Sequence, residues 1–290
     1  TLQIDLFENM KIISITSAGK ELKQKREFKA VFVTMPAEMK AGTKGDLTIN
    51  YYGKPIVAKR PPWDGGFIWS YDKTGKSWIA VSCEGVGASL WWPCKDYLGD
   101  EPDSMRISCT VPDGLKCISN GNEEKETPNS DSTTTFIWKV SYPINNYNVT
   151  LNIGDYVTFH DEYVAEDKSK LALDYYVMPY NLEKAKLQFK QVKPMLNCYE
   201  KYLGKYPFWN DGYALVETPY LGMEHQSAVA YGNQYKMGYL GDDRSHTGVG
   251  TLFDFIVVHE SGHEWFGNNI TAADIADNWI HEGITTYAEA

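Results

Sequence analysis

Long apolar runs are missing from this chain. No stretch approaches the roughly 20 residues that a membrane-spanning helix needs, so no membrane segment is expected. Positive charge is also short: 28 Lys and Arg stand against 38 Asp and Glu, a formal net charge of −10. That balance argues against nucleic acid or an anionic membrane surface as a partner. Cysteine is sparse and odd in number, at Cys83, Cys94, Cys109, Cys117 and Cys198, with no C-x-x-C pair. Buried free thiols are the expectation, with one disulfide left open. There is no internal repeat, no low-complexity tract, and no signature of a serine, cysteine or carboxylate nucleophile. The sequence leaves the compartment open between the cytoplasm and export after loss of a signal peptide. The oligomeric state and any side-chain preference for a substrate stay open as well.

What is present is aromatic and globular. The 290 residues include 20 Tyr and 9 Trp, with 23% charged residues, which suits a packed core and a prior of two domains. The first half alternates with period two and is cut by turn residues. Strand-like runs are Phe28 to Val33, Asp46 to Tyr52, Gly66 to Tyr71, Trp78 to Cys83, Arg106 to Val111 and Thr133 to Val140. Regular spacing predicts an antiparallel all-β domain over residues 1–178. The polar stretch Asn122 to Thr134 reads as a hairpin tip. After a strand at Leu171 to Val177 the pattern turns helical over Asn181 to Leu203, with Asn181 as cap and a kink at Pro194. Residues 179–290 form the second unit.

Chemistry concentrates near the end, in Val257-Val258-His259-Glu260-Ser261-Gly262-His263-Glu264-Trp265-Phe266-Gly267-Asn268. On a helix, positions i and i+4 share a face, so His259 and His263 can place both imidazoles on one metal ion. Glu260 sits one step round, placed to reach a water on that metal. The apolar run from Leu252 to Val258 suits a buried helix. Two histidines do not close a zinc site. Glu282, eighteen residues beyond His263 in Trp279-Ile280-His281-Glu282-Gly283, is the candidate third ligand. His160 and His246 lack ligand spacing, and His281 would point to another face. Glu264 and Glu289 read as surface carboxylates or as partners of the ligands.

These motifs resemble the aminopeptidase N family of gluzincin zinc peptidases, whose pattern is close to His-Glu-x-x-His-x-Trp-Phe-Gly-Asn followed by Trp-Leu-Asn-Glu-Gly. Upstream, Trp92-Pro93-Cys94-Lys95-Asp96 with Asp100-Glu101-Pro102-Asp103 is similar to the family's Trp-x-Pro-Cys-x-Asp-Glu-Pro-Asp, here split by an insertion around Tyr97-Leu98-Gly99. Thr110-Val111-Pro112-Asp113-Gly114-Leu115 and Ser119-Asn120-Gly121 are also family-like. Gly222-Met223-Glu224 matches the family's Gly-x-Met-Glu-Asn, with Leu221 for the first Gly and His225 for the Asn. The resemblance implies a β domain followed by part of a thermolysin-like α/β catalytic domain, an α+β architecture with one zinc ion. It implies that Glu224 and Glu84, in Ser82-Cys83-Glu84, receive the free amine of a peptide. It implies too that the Gly222–Met223 backbone pairs with that peptide as an edge strand. Read by itself, Glu84 is an exposed strand-end carboxylate. Asp277 matches an Asp that supports the zinc site.

The activity so implied is removal of N-terminal residues from peptides, with Glu260 as general base. A zinc endopeptidase, a small-molecule hydrolase and a catalytically silent peptide-binding relative are the alternatives. The resemblance further implies that the catalytic domain continues past the helical run Ile284 to Ala290, with an oxyanion-binding Tyr beyond it. On that expectation the chain by itself turns over poorly. Otherwise His225, Tyr220 or Tyr231 would serve as the donor.

Overall fold

The computed structural model describes residues 1–289. Its strands are β1 (Leu2–Asp5), β2 (Met10–Ser17), β3 (Lys20–Glu21), β4 (Gln24–Glu27), β5 (Ala30–Val33), β6 (Thr48–Gly53), β7 (Gly66–Tyr71), β8 (Ser77–Ser82), β9 (Met105–Pro112), β10 (Lys116–Ile118), β11 (Asn122–Pro128), β12 (Thr133–Val140), β13 (Asn152–Gly154), β14 (Val157–Val164), β15 (Lys170–Val177), β16 (Tyr213–Glu217), β17 (Gly222–Met223) and β18 (Val229–Tyr231). The α-helices are α1 (Leu182–Gln188), α2 (Val192–Leu203), α3 (Phe255–Gly262) and α4 (Trp279–Ala288). The first thirteen strands make four antiparallel sheets, in orders β1-β5-β4, β3-β2-β6, β10-β13-β8-β7 and β11-β12-β9. Alternation drives them. In β12, Thr134, Phe136, Trp138 and Val140 point inward while the residues between them do not, the period-two pattern of a half-buried strand.

The fifth sheet carries the site. Its order is β14-β15-β16-β18-β17, with β15–β16 and β16–β18 parallel and the outer pairs antiparallel. All five residues of β16 are buried, as expected of a parallel strand covered on both faces. Sheet membership begins at Val157, so β14 and β15 pair with the second unit although they lie before residue 178. Helix α3 packs Ile256 and Val257 on Val229 and Tyr231 of β18 within one apolar cluster. A second cluster joins Val81 of β8 and Cys83 to Tyr147, Tyr220 and Met223. That cluster is what brings Glu84, just past β8, to the same place as Glu224, just past β17.

Several local expectations differ. The stretch Asn122 to Thr134 does hold a hairpin tip, but only at residues 129–132; Asn122–Pro128 is a strand paired with β12 across a register shift after Glu123, and six of its seven residues are exposed, so no apolar alternation marks it. The break in the helical segment is a 3-10 turn at Phe189–Gln191. Pro194 lies in the first turn of α2, where its missing N–H has no partner to lose. Asn181 does not cap α1; its amide donates to Glu217 Oε1 at 2.6 Å. All five cysteines are free thiols. No helix among the described residues is long and apolar enough to cross a membrane.

Candidate metal centre

Helix α3 starts at Asp254, whose carboxylate accepts the Ile256 and Val257 N–H groups at 3.1 and 3.3 Å. Such a cap contributes about 0.5–2 kcal/mol and sets the phase of the helix. Asp254 is itself held by Tyr231, Asn233 and Gln188. One turn on, His259 lies within the helix and His263 is its C-cap residue in helical conformation. Their Nε2 atoms come to 3.3 Å of each other. The Glu282 carboxylate, on α4, lies 3.8 Å from His259 Nε2 and 3.7 Å from His263 Nε2.

The far side of each imidazole is fixed. His259 Nδ1 meets Glu289 Oε1 at 2.5 Å, and His263 Nδ1 donates to the Phe266 carbonyl at 3.0 Å with Thr285 Oγ1 at 3.3 Å. Both Nδ1 atoms thus carry hydrogen, and the two Nε2 lone pairs face one point. At that separation the two nitrogens either share one proton or hold a cation between them. Contacts of about 2.0–2.2 Å to a tetrahedral ion keep its ligands about 3.4 Å apart, close to the three separations here. The donor set fits a zinc ion.

Negative charge surrounds this point. Burial, then the charge of Glu282, pushes Glu84 up to about 7. Burial likewise pushes Glu260 up to about 7, with His259 opposing and Glu282 and Glu84 adding to it. Glu224 is raised well above the carboxylate range by burial and by Glu84, Glu260 and Glu282. His259 is held up to about 9 against burial by Glu289, Glu260 and Glu282, while burial and its neighbour His259 bring His263 down to about 3. The surroundings are short of cations, which a dication and an ammonium would supply.

The sequence-derived residues fall together. Glu260 is buried, and a methyl group built on Gly222 would overlap its carboxylate. Glu84 is half-buried rather than exposed, with the Asn278 amide beside it. Its turn is pinned by Asp96, which accepts Ala88 N, Ser89 N and Ser89 Oγ. A side chain at Gly87, whose φ is 97°, would strike Asp96. Met223 is buried in the apolar cluster, and Glu224 is fully buried beside it.

One group had no local signal in the sequence. Tyr147 donates to Glu224 Oε1 at 3.0 Å. Asn268 donates to the Glu224 carbonyl at 2.8 Å. Asn120 bridges Asn148, Thr150 and the Gln226 carbonyl, which ties the family-like Ser119-Asn120-Gly121 to the loop after Glu224. Glu264 is not a surface carboxylate: it is fully buried and accepts Ser227 N, Tyr206 O–H and the Asn268 amide. Asp277 is exposed in the 3-10 turn Ile275–Asp277, with no contact to the imidazoles among the described residues. His281 faces away and accepts Ala272 N–H. His160, on the edge strand β14, pairs with Asp174 of β15. Tyr220 and Tyr231 spend their hydroxyls on Val81 O and Asp254. His225 is buried with both ring nitrogens unpartnered, and burial holds it down to about 3. Of the expected helical run Ile284 to Ala290, Ala290 lies outside the described residues.

A two-imidazole, one-carboxylate centre on two helices, set beside an antiparallel β domain, is the arrangement these observations define. Residues 187–290 match the peptidase family M1 domain. The chain is 24% identical to probable aminopeptidase 1 of Saccharolobus solfataricus over 282 residues, covering 96% of this chain and 33% of that protein. It is 28% identical to aminopeptidase B of Mus musculus over 224 residues, covering 74% of this chain and 30% of that one. Among solved structures, the M1 zinc metallopeptidase from Deinococcus radiodurans superposes with a TM-score of 0.75 at 20% identity, over 99% of this chain and 61% of that one. A mutant of that protein bound to a Tyr-Ser-Ala substrate gives 0.77. The chain is thus similar to members of peptidase family M1, the aminopeptidase N family, and the family's domain matches its residues 187–290. It spans about a third of the length of these curated relatives.

Proposed function

We propose that the protein carrying this chain is a zinc-dependent aminopeptidase. The observation that carries the reading is the convergence of His259, His263 and Glu282 within 3.3–3.8 Å, beside Glu260 and facing Glu84 and Glu224. His259, His263 and Glu282 would hold one zinc ion. Bound there, the ion supplies Lewis acidity, lowering the pKa of a nearby water and polarising a peptide carbonyl. Glu260 takes the proton of that water and hands it to the departing amine, acting as base and then as acid. Its burial one step along the helix from His259 places it for both steps. Glu84 and Glu224 receive the protonated N-terminus of the peptide. Tyr147 fixes the rotamer of Glu224 from behind. β17 is the edge strand of its sheet, and its free side offers backbone pairing to the substrate. With the amine pinned at Glu224, only the first peptide bond reaches Glu260.

The test compares amino-acid anilides with their N-acetylated forms, alongside metal analysis. The reading expects about one zinc per chain and turnover confined to free-amine substrates. Equal turnover of blocked substrates would point to an endopeptidase, and bound zinc without any turnover to a peptide-binding relative.

A further inference from the structure

A cavity of about 600 Å³ lies at the start of β17, apart from the histidines. Its walls are the tip of the β7–β8 hairpin, the start of α1, and the segments that lead into β17 and out of β18. We propose that this cavity receives the downstream end of a short peptide and holds its terminal carboxylate on Lys73 and Lys184. The inference rests on the aminopeptidase reading above and extends it to substrate length and terminus.

Direction is the first argument. The amine sits at Glu224, one residue past β17, and the general base lies against Gly222. A peptide running from the amine through the reacting carbonyl therefore passes Met223 and then Gly222, antiparallel to β17. The next residue back along the chain is Leu221, which lines the cavity. Three residues at about 3.3 Å each put the mouth of the cavity about 10 Å from the amine. That is the reach of a tripeptide, so the third and fourth residues enter it.

Charge is the second argument. Four ionisable carboxylate and ammonium groups line the cavity: Asp72, Lys73, Lys184 and Glu217. The two acids are occupied by hydrogen bonds from neighbouring backbone and side-chain donors. Asp72 accepts Thr74 N, Thr74 Oγ1 and Lys76 N. Glu217 accepts Met178 N and the Asn181 amide. The lysines are exposed. Lys73 Nζ rests over the Tyr180 ring at 5.0 Å, and neither lysine forms a salt bridge with the acids that line the cavity. The groups left with open valences are cations, and the ligand that meets them is an anion at the end of a short chain.

The Glu260→Gln variant of the zinc-loaded protein, with turnover slowed roughly a hundredfold to ten-thousandfold, serves as the host for titration calorimetry. Tetra-alanine as the free acid is compared with its C-terminal amide. The free acid is expected to bind about fivefold to tenfold more tightly, a difference near 1–1.4 kcal/mol. Lys73→Gln with Lys184→Gln should erase that difference, leave the amide's affinity unchanged, and leave alanine anilide hydrolysis unchanged when Glu260 is restored. Equal affinity for acid and amide in the host, or an acid preference that survives both substitutions, would overturn this inference alone. Failure of every free-amine peptide to bind would overturn the aminopeptidase reading and this inference with it.

Discussion

The two walls of the site are held in different ways. On the helix wall, His259, Glu260 and His263 lie within five residues, and one cap at Asp254 with one turn of helix sets their geometry. On the strand wall, Glu84 and Glu224 are 140 positions apart and each follows a strand. They meet only because Val81, Cys83, Tyr147 and Met223 share an apolar cluster, and because Tyr147, Asn268 and Asn120 clamp the loop after Glu224. Local repetition builds the wall proposed to face the metal, and long-range packing builds the one proposed to face the amine. The lesson is a division of labour: damage to the first should read out in metal, damage to the second in substrate charge.

The largest separation is expected within the helix wall itself. His263→Ala should lose bound zinc and all turnover. Glu260→Gln should keep zinc at about one per chain yet lose roughly a hundredfold to ten-thousandfold in rate. Metal content by plasma emission beside anilide turnover distinguishes the two. If Glu260→Gln also loses zinc, the assignment of Glu260 as base rather than ligand is wrong.

Gly222→Ala joins the walls. The added methyl group would overlap the Glu260 carboxylate and crowd Ile256. A displaced base of this kind costs on the order of a hundredfold, with zinc retained. Wild-type turnover in this variant would mean that β17 stands off from α3 in solution.

Glu224→Ala tests the strand wall. Loss of a charge-assisted contact worth about 1.5–3 kcal/mol should raise KM for free-amine substrates roughly tenfold to a hundredfold. Binding of N-blocked peptides and zinc content should not change. Glu84→Ala should act in the same direction. A uniform loss across both substrate types would break the comparison.

Glu289→Gln should have the most modest effect on turnover at saturating zinc. It weakens the contact that orients His259, and such partners are typically worth tenfold to a hundredfold in metal affinity. Competition against a chelator would measure it. An unchanged zinc affinity would leave His259 oriented by α3 alone.

The same contrast explains what could be read from the sequence. The helix wall was legible because its spacing is local: His259, Glu260, His263 and the approach of Glu282 follow from helical periodicity and a second helix start. The antiparallel character of the first half was legible from alternation in runs such as Thr133–Val140. The strand wall was visible only through family resemblance, since a lone Glu84 reads as an exposed strand end until Val81 and Met223 are packed together. Tyr147 carried no signal, because nothing near it in sequence points to Glu224. The sequence leaves Glu264 between a surface carboxylate and a partner of the ligands, because its burial shows only once Ser227, Tyr206 and Asn268 are brought to it. The strand Asn122–Pro128 was hidden by its polar composition. The sheet partners of β14 and β15 were hidden because parallel pairing with β16 spans some forty residues.

X-ray absorption at the zinc edge of the zinc-loaded protein tests the central claim most directly. The account predicts a first shell of nitrogen and oxygen only, at about 2.0–2.2 Å, with the outer scattering of two imidazoles. That imidazole signal should fall by half in His259→Ala protein that still retains metal. A sulfur scatterer at about 2.3 Å, or an unchanged imidazole signal in that variant, would contradict it.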